Sequence, residues 1–292
     1  MTESGDRGRA APTPQARLSS DLGPRAASSV VMVAAALTTL WLGGDVFILF
    51  WLGCALALHW EWQRIIAAPQ DKARFFIGGA FLVVAVALLR LAMIEGAFVV
   101  VAAGAALLAW LGGPGKRLWA GAGLVYAASV VISVTLLRVL SPIDGVEAII
   151  WLFAVVWGTD VMAYFGGRLI GGPKLWPRLS PSKTWAGFLV GVFSGGLLGV
   201  LCLTLSEGRD SVAIGPLFLM GLAAGAVAQA GDFFESSIKR RFGVKDSSHL
   251  IPGHGGFMDR LDGFIAAAAF AALVGWIKSA GPGFVAIGLL RW

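Results

Sequence analysis

The chain has 292 residues, of which 57% are hydrophobic and only 14% charged, against roughly 25% charged in an ordinary soluble domain. That balance excludes a water-soluble globular enzyme and points to an integral membrane protein. The formal net charge of +6 is spread over the segments between apolar runs, where topology and attraction to anionic lipid account for it without nucleic acid.

The first 28 residues are rich in Ala, Ser, Arg and Pro and show no apolar period. They are expected to form a disordered cytosolic tail rather than a cleaved leader, with one multi-pass catalytic unit over 29–292. Nine apolar runs follow, at 29–43, 46–60, 75–93, 97–111, 118–140, 148–167, 184–205, 211–231 and 263–277, each bounded by charge or by Gly and Pro. Several are about 15 residues long, short of the roughly 20 that an untilted crossing takes. The first two are separated only by Gly43-Gly44-Asp45, so they read as two spans or as a re-entrant hairpin, and either returns the chain to the same side. Cys54 and Cys202 each fall inside a run and read as core packing.

With the N-terminus inside, the inner segments collect every Lys and Arg except Arg90, Arg138, Arg209, Lys278 and Arg291, that is 18 of the 23, as the positive-inside rule requires. The same orientation puts the polar segment 232–262 in the cytosol, within reach of a nucleotide. The expected architecture is therefore an all-α integral membrane protein of about nine transmembrane helices, with a polar cavity facing the cytosol.

Three polar constellations stand out along this framework. Asp160 lies inside the sixth run, roughly 10 Å below the cytosolic end of its helix at 1.5 Å per residue. A carboxylate there is costly unless it faces a polar cavity or a partner. Asp160, Tyr164 and Arg168 share one helix face at i, i+4 and i+8. They read as cavity lining, with an internal relay from Asp160 to Arg168 as the alternative. In the loop 171–188, Pro173, Pro177 and Pro181 oppose helix, while Ser180, Ser182, Lys183 and Thr184 precede the next apolar run. Hydroxyls and an ammonium at a helix N-terminus make an anion site; an N-cap with an inside-facing lysine is the plainer reading.

The third constellation is the densest. Segment 236–262 offers Lys239, Arg240, Arg241, Lys245 and Arg260 as cations for phosphate, Asp246, Asp259 and Asp262 as oxygen ligands, and the His254-Gly255-Gly256 turn. If the eighth run continues as helix, Asp232, Glu235, Ser236 and Lys239 fall on one face, and Asp259 and Asp262 repeat the i, i+3 pairing. Two carboxylate pairs at the cytosolic ends of two spans could converge on Mg²⁺, which favours few carboxylates plus phosphate oxygens. A solvated, salt-bridged loop is the alternative.

The series Ser236-x-Ile238-Lys239-Arg240, Lys245-Asp246, Ser248, Ile251-Pro252, His254-Gly255-Gly256-Phe257, Asp259-Arg260-Leu261-Asp262 resembles the signature of the phosphatidate cytidylyltransferases, the CDP-diacylglycerol synthases. Asp160-x-x-Ala163-Tyr164-x-x-Gly167-Arg168, Ser180-Pro181-x-Lys183-Thr184 and Glu61-Trp62 are similar to that family as well. One departure is Ala186, where a glutamate is expected before Gly187. The resemblance implies condensation of CTP with phosphatidic acid to CDP-diacylglycerol and pyrophosphate in a bacterial inner membrane. It implies Mg²⁺, with a second, monovalent cation beside it in members of the family. By the same resemblance Asp232 and Asp259 are metal ligands supported by Asp262, Asp246 and Asp160, and Lys239, Arg240, Lys245, Arg260 and Lys183 clamp phosphates. Ser180, Ser182, Tyr164, Gly255 and Gly256 join the substrate site, and His254 either donates to a phosphate or braces its turn.

The attacking lipid phosphate is already ionised near neutral pH, so no general base is expected. Neither Ser182 nor Ser236 has an obvious paired base that would make it a covalent nucleophile. Membrane lipids are the expected surroundings, a homodimer is left open, and nucleic acid has no place. Two other classes stay in view. A CTP-dependent lipid-alcohol kinase would transfer the γ-phosphoryl group and need a base, whereas an anion transporter would show repeats and broken helices at the midplane.

Overall fold

The computed structural model describes residues 14–66, 72–141, 144–206, 213–251, 255–279 and 281–292, with side chains for these except 14–26 and Pro282. The described chain is a helical bundle. Nine helices coincide with the nine apolar runs: α1 (Pro14–Leu42), α2 (Gly44–Ile66), α3 (Lys72–Arg90), α4 (Ile94–Leu111), α5 (Arg117–Arg138), α6 (Gly145–Leu169), α7 (Trp185–Thr204), α8 (Ile214–Arg241) and α9 (Met258–Lys278). A short helix α10 (Val285–Leu290) follows. Among the described residues, α2 to α9 are each long and apolar enough to cross a membrane, while α1 contributes the shorter apolar stretch Ala27–Leu42.

Several boundaries differ from the sequence reading. The α1 backbone is helical from Pro14, so it reaches back over residues 14–28. Proline is at home in the first helical turn, and the Ala, Gln, Arg and Leu that follow are good helix formers. Residues 1–13 lie outside the described set. The break at Gly43 and Gly44 is a turn in which both residues have positive φ, +63° and +49°, a conformation that side chains other than glycine rarely adopt. α8 does not stop where its apolar run ends at 231. It continues to Arg241, and α9 already begins at Met258, so the connection is 242–257 rather than 232–262. In the loop after α6, strands β1 (Lys174–Trp176) and β2 (Ser180–Thr184) pair antiparallel, which uses the polar groups that the prolines keep out of a helix.

Close approach between helices sets the positions of the functional groups. α7 carries Gly187, Gly191, Gly195 and Gly199 at successive i+4 positions, all buried, and this stripe lies on α6. A Cβ added at Gly191 would lie 2.6 Å from the carbonyl oxygen of Thr159, and one at Gly187 would lie 2.7 Å from that of Ala163. In lipid there is little hydrophobic drive between helices, so such backbone contact is what holds them together. α8 and α9 cross in the same way. A Cβ at Gly231 would lie 2.6 Å from the Asp262 carbonyl oxygen, and one at Gly263 would lie 2.7 Å from Asp232 Oδ1. The crossing therefore brings Asp232 against the first turns of α9. Buried aromatic groups brace the other side. Trp51 of α2 stacks on Phe264 of α9 at 5.0 Å between centroids, and Trp62 Nε1 donates to the Trp119 carbonyl oxygen at 2.8 Å, tying α2 to α5.

Candidate functional site

The polar residues gather where α2, α6 and α8 end and α7 and α9 begin. Thr184 caps α7, its Oγ1 accepting from Gly187 N at 3.1 Å, and the first turn of α7 carries no acidic side chain. Its N-terminal dipole is therefore left for an outside anion. The preceding residue, Lys183, reaches across to α8. Its ammonium donates to Gln229 Oε1 at 2.9 Å and ion-pairs with Asp232 Oδ2. Gln229 Nε2 in turn donates to Asp160 Oδ1 at 3.2 Å. One relay, Asp232 to Lys183 to Gln229 to Asp160, thus joins β2, α8 and α6.

Two cavities meet at this relay. A polar one of about 370 Å³ is lined by Asp160, Tyr164, Arg168, Ser182, Lys183 and Asp232, among others. The other, of about 210 Å³, has an apolar wall that includes Phe50, Trp51, Phe153 and Trp157, with Asp160, Arg260 and Asp262 as its charged lining. Asp160 lines both. It lies within electrostatic reach of Asp232, Lys183 and Arg260, and Asp262 within that of Asp232, Glu235 and Asp160.

A second network lies beside the first. Lys239 Nζ sits 2.7 Å from Glu235 Oε1 and 2.7 Å from Asp259 Oδ1. Asp259 Oδ2 accepts from Ser247 N at 3.0 Å, Ser247 Oγ at 3.0 Å and Gly256 N at 2.9 Å. Among the described residues no group of three or more His, Cys, Asp or Glu is gathered to hold a metal ion. Asp160, Asp232 and Asp262 lie within electrostatic reach of one another, while Asp259 belongs to the second network. Asp232 and Asp259 each present one oxygen to a lysine ammonium, a positive charge standing where a cation would be attracted.

The sequence-predicted residues divide accordingly. Asp160, Tyr164, Ser182, Lys183 and Asp232 come together at the polar cavity, Arg260 and Asp262 at the apolar one, and Lys239 and Asp259 in their own ion pair. Ser180, Arg240, Lys245 and Asp246 line neither cavity, and the last three are exposed. The 232–241 part of the segment is helix and points only some of its charges inward. Arg168 Nη1 donates to Tyr164 Oη at 2.5 Å, while Asp160 is held by Gln229, so the internal Asp160–Arg168 relay does not form. Gly255 takes the left-handed φ of +85° and bridges Ile251. Gly256 has no room for a Cβ, which would meet the Ser247 hydroxyl and the Glu61 carboxylate. His254 lies outside the described residues.

Gln229, Ser247 and the part played by Glu61 escaped the sequence reading. Gln229 is the only amide side chain in the run 211–231, which is a usable signal, since an amide in lipid needs a partner. Nothing in the sequence marks Ser247 among its polar neighbours.

The family model described as the cytidylyltransferase family matches residues 24–277. A phosphatidate cytidylyltransferase of Brucella abortus biovar 1 (strain 9-941) is 42% identical over 264 residues, covering 88% of this chain and 94% of the relative. The phosphatidate cytidylyltransferase of Haemophilus influenzae (strain ATCC 51907 / DSM 11121 / KW20 / Rd) is 32% identical over 279 residues, covering 85% and 96%. With a match that runs from the first span through the ninth, the chain belongs to the cytidylyltransferase family.

Proposed function

We propose that the protein transfers the cytidylyl group of CTP to phosphatidic acid, giving CDP-diacylglycerol and pyrophosphate. The observation that carries this reading is the position of Asp160 in the lining of both cavities. A chamber with lysine, arginine and a helix N-terminus that carries no acidic side chain suits a nucleotide triphosphate, and an adjoining, more apolar chamber suits the acyl chains of a lipid. Their shared wall is where the lipid phosphate and the α-phosphorus of CTP would meet. An oxygen of the phosphatidate attacks that phosphorus, the bond to the bridging oxygen of the β-phosphate breaks, and pyrophosphate leaves with the electron pair. Both reactants are anions, so the task of the protein is to neutralise charge and align the groups in line.

Lys183 and Arg168 are the cations of the polar chamber, and Arg260 that of the apolar one. Asp232 and Asp259 would hold Mg²⁺, with Asp160 and Asp262 in support; once bound, the ion neutralises phosphate oxygens and steadies the leaving pyrophosphate. Lys183, which lines the polar chamber and is paired with Asp232, is the ammonium group placed to turn to the triphosphate, and Lys239 is paired with Asp259. Cytosolic placement of this end is supported by the distribution of 18 of 23 basic residues, and a bacterial inner membrane by the bacterial relatives.

The test is transfer of label from CTP marked at the α-phosphate into lipid, by detergent-purified protein with phosphatidic acid and Mg²⁺, beside Asp259→Asn. Label in CDP-diacylglycerol that disappears with the substitution and with chelator is the expected result. Label reaching lipid only from the γ-phosphate would instead identify a lipid-alcohol kinase.

A further inference from the structure

Glu61 is wholly buried, 0% exposed, near the end of α2, and every donor the structure gives it comes from residues 247–258. Ser248 Oγ donates to Oε1 at 2.5 Å and Phe257 N to the same oxygen at 2.9 Å. Ser247 Oγ donates to Oε2 at 3.0 Å and Met258 N at 2.7 Å. Three of these donors are given to Glu61 alone, while the single Ser247 hydroxyl proton is shared between Glu61 Oε2 and Asp259 Oδ2. Two of the donors are the backbone N–H groups of the N-cap residue Phe257 and of Met258, the first residue of α9, and the Phe257 side chain supplies no cap of its own. Glu61 therefore caps α9 from a different helix, satisfying orphan donors and setting a negative charge at the positive end of the dipole.

We propose that Glu61 is a positioning residue for nucleotidyl transfer, fixing Ser247, Ser248 and the start of α9 in the register that delivers Asp259 to Lys239. Three independent features agree. Ser247 lies within hydrogen-bond distance of both the Glu61 and the Asp259 carboxylates, at 3.0 Å each, so a shift of one carboxylate is felt by the other. Gly256 fills the space between Ser247 and Glu61 and admits no Cβ. Gln63 and Trp62, next to Glu61, bind the carbonyl oxygens of Ala120 at 3.1 Å and Trp119 at 2.8 Å, so α2 is itself anchored to α5 at the turn that carries Glu61.

The proposal rests on the cytidylyltransferase reading of the site, and its test separates the two. In Glu61→Gln one carboxylate oxygen becomes an NH₂ group facing one hydroxyl and one backbone N–H. The hydroxyl can turn to accept, but the N–H cannot, so α9 loses part of its cap. Measured on folded protein, normalised by size exclusion and melting in detergent, kcat is expected to fall ~10–100-fold, as for other residues that orient an active group. The KM values for CTP and phosphatidate are expected to stay within about two-fold, since chemistry and not uniform binding is affected. Ser248→Ala, which removes one donor and leaves the carboxylate, should lower kcat by a smaller factor with the same constancy of KM. Folded Glu61→Gln with unchanged kcat, or with raised KM alone, overturns the proposal and leaves the cytidylyltransferase reading standing. A wild-type chain that labels no lipid falls on that reading instead. Where Glu61→Gln yields no folded protein, Ser248→Ala decides alone, and unchanged kcat in that variant overturns the proposal.

Discussion

Lys183 shows how far one side chain's task depends on its neighbours. Its ammonium is shared between Asp232 and Gln229 and lies 4.9 Å from the centroid of the Phe233 ring, so it is held in the polar cavity rather than trailing into water. Lys183→Met is expected to lower kcat/KM for CTP ~10²–10³-fold, the usual loss when a charge-stabilising group of a reaction site is removed. Initial rates over a CTP series measure it. Gln229→Leu leaves Lys183 charged but removes the link to Asp160 and is expected to cost less, about ten-fold on the same assay. Loss equal to that of Lys183→Met would mean that Gln229 is not merely a spacer. Gly256→Ala belongs to the same scale, since its methyl group would enter the space of the Ser247 hydroxyl and the Glu61 carboxylate. Overpacking of this kind costs ~1–3 kcal/mol, read as a lowered detergent melting temperature together with lost activity. The charged members of this set were legible as residues, because carboxylates and lysines next to apolar runs are conspicuous. Their pairing was not legible, because Lys183 and Asp232 lie 49 positions apart.

At the scale of elements, the α6–α7 contact is the one on which the polar cavity depends. Four glycines at i+4 spacing let α7 lie directly on the α6 backbone, and the same pair of helices supplies Asp160, Tyr164 and the capped N-terminus next to Lys183. Gly191→Val would set side-chain atoms against the carbonyl oxygen of Thr159, from which even a Cβ would be 2.6 Å away. Destabilisation of at least ~1–3 kcal/mol is expected, together with weaker CTP binding as the two helices part. Detergent melting and a CTP titration check both; a variant that melts like wild type would show that the stripe is not the contact that holds the pair. The helices themselves could be read from the chain, since apolar runs bounded by charge leave few choices in lipid. The ends of α8 and α9 could not, because Asp232, Glu235 and Asp259 are polar and yet helical. They are kept so by the α8–α9 crossing at Gly231 and Gly263 and by the capping of α9 from α2.

For the whole molecule, the proposed placing of the two substrates in two adjoining cavities makes their binding separable by mutation. Val33 of α1 is partly exposed and lines the apolar cavity, so Val33→Trp should fill it. The expected result is a KM for phosphatidate raised about ten-fold with that for CTP within about two-fold, the pattern of lost uniform binding of one substrate. Equal changes in both would argue against separate chambers. The sequence by itself determined the class of protein, the order of its apolar helices and the identity of most charged groups gathered at the candidate site. Each of these follows from local composition and from the need to satisfy the backbone inside a bilayer. Only the tertiary structure decided which of those groups meet. It chose Gln229 for Asp160, joined the Asp232–Lys183 and Asp259–Lys239 pairs, and left Arg240, Lys245 and Asp246 outside the cavities. It also turned Glu61 into the anchor of a segment 186 residues away. The reason is physical: a buried polar group must find a partner wherever in the chain the packing of helices brings one, and no short stretch of sequence encodes where that will be.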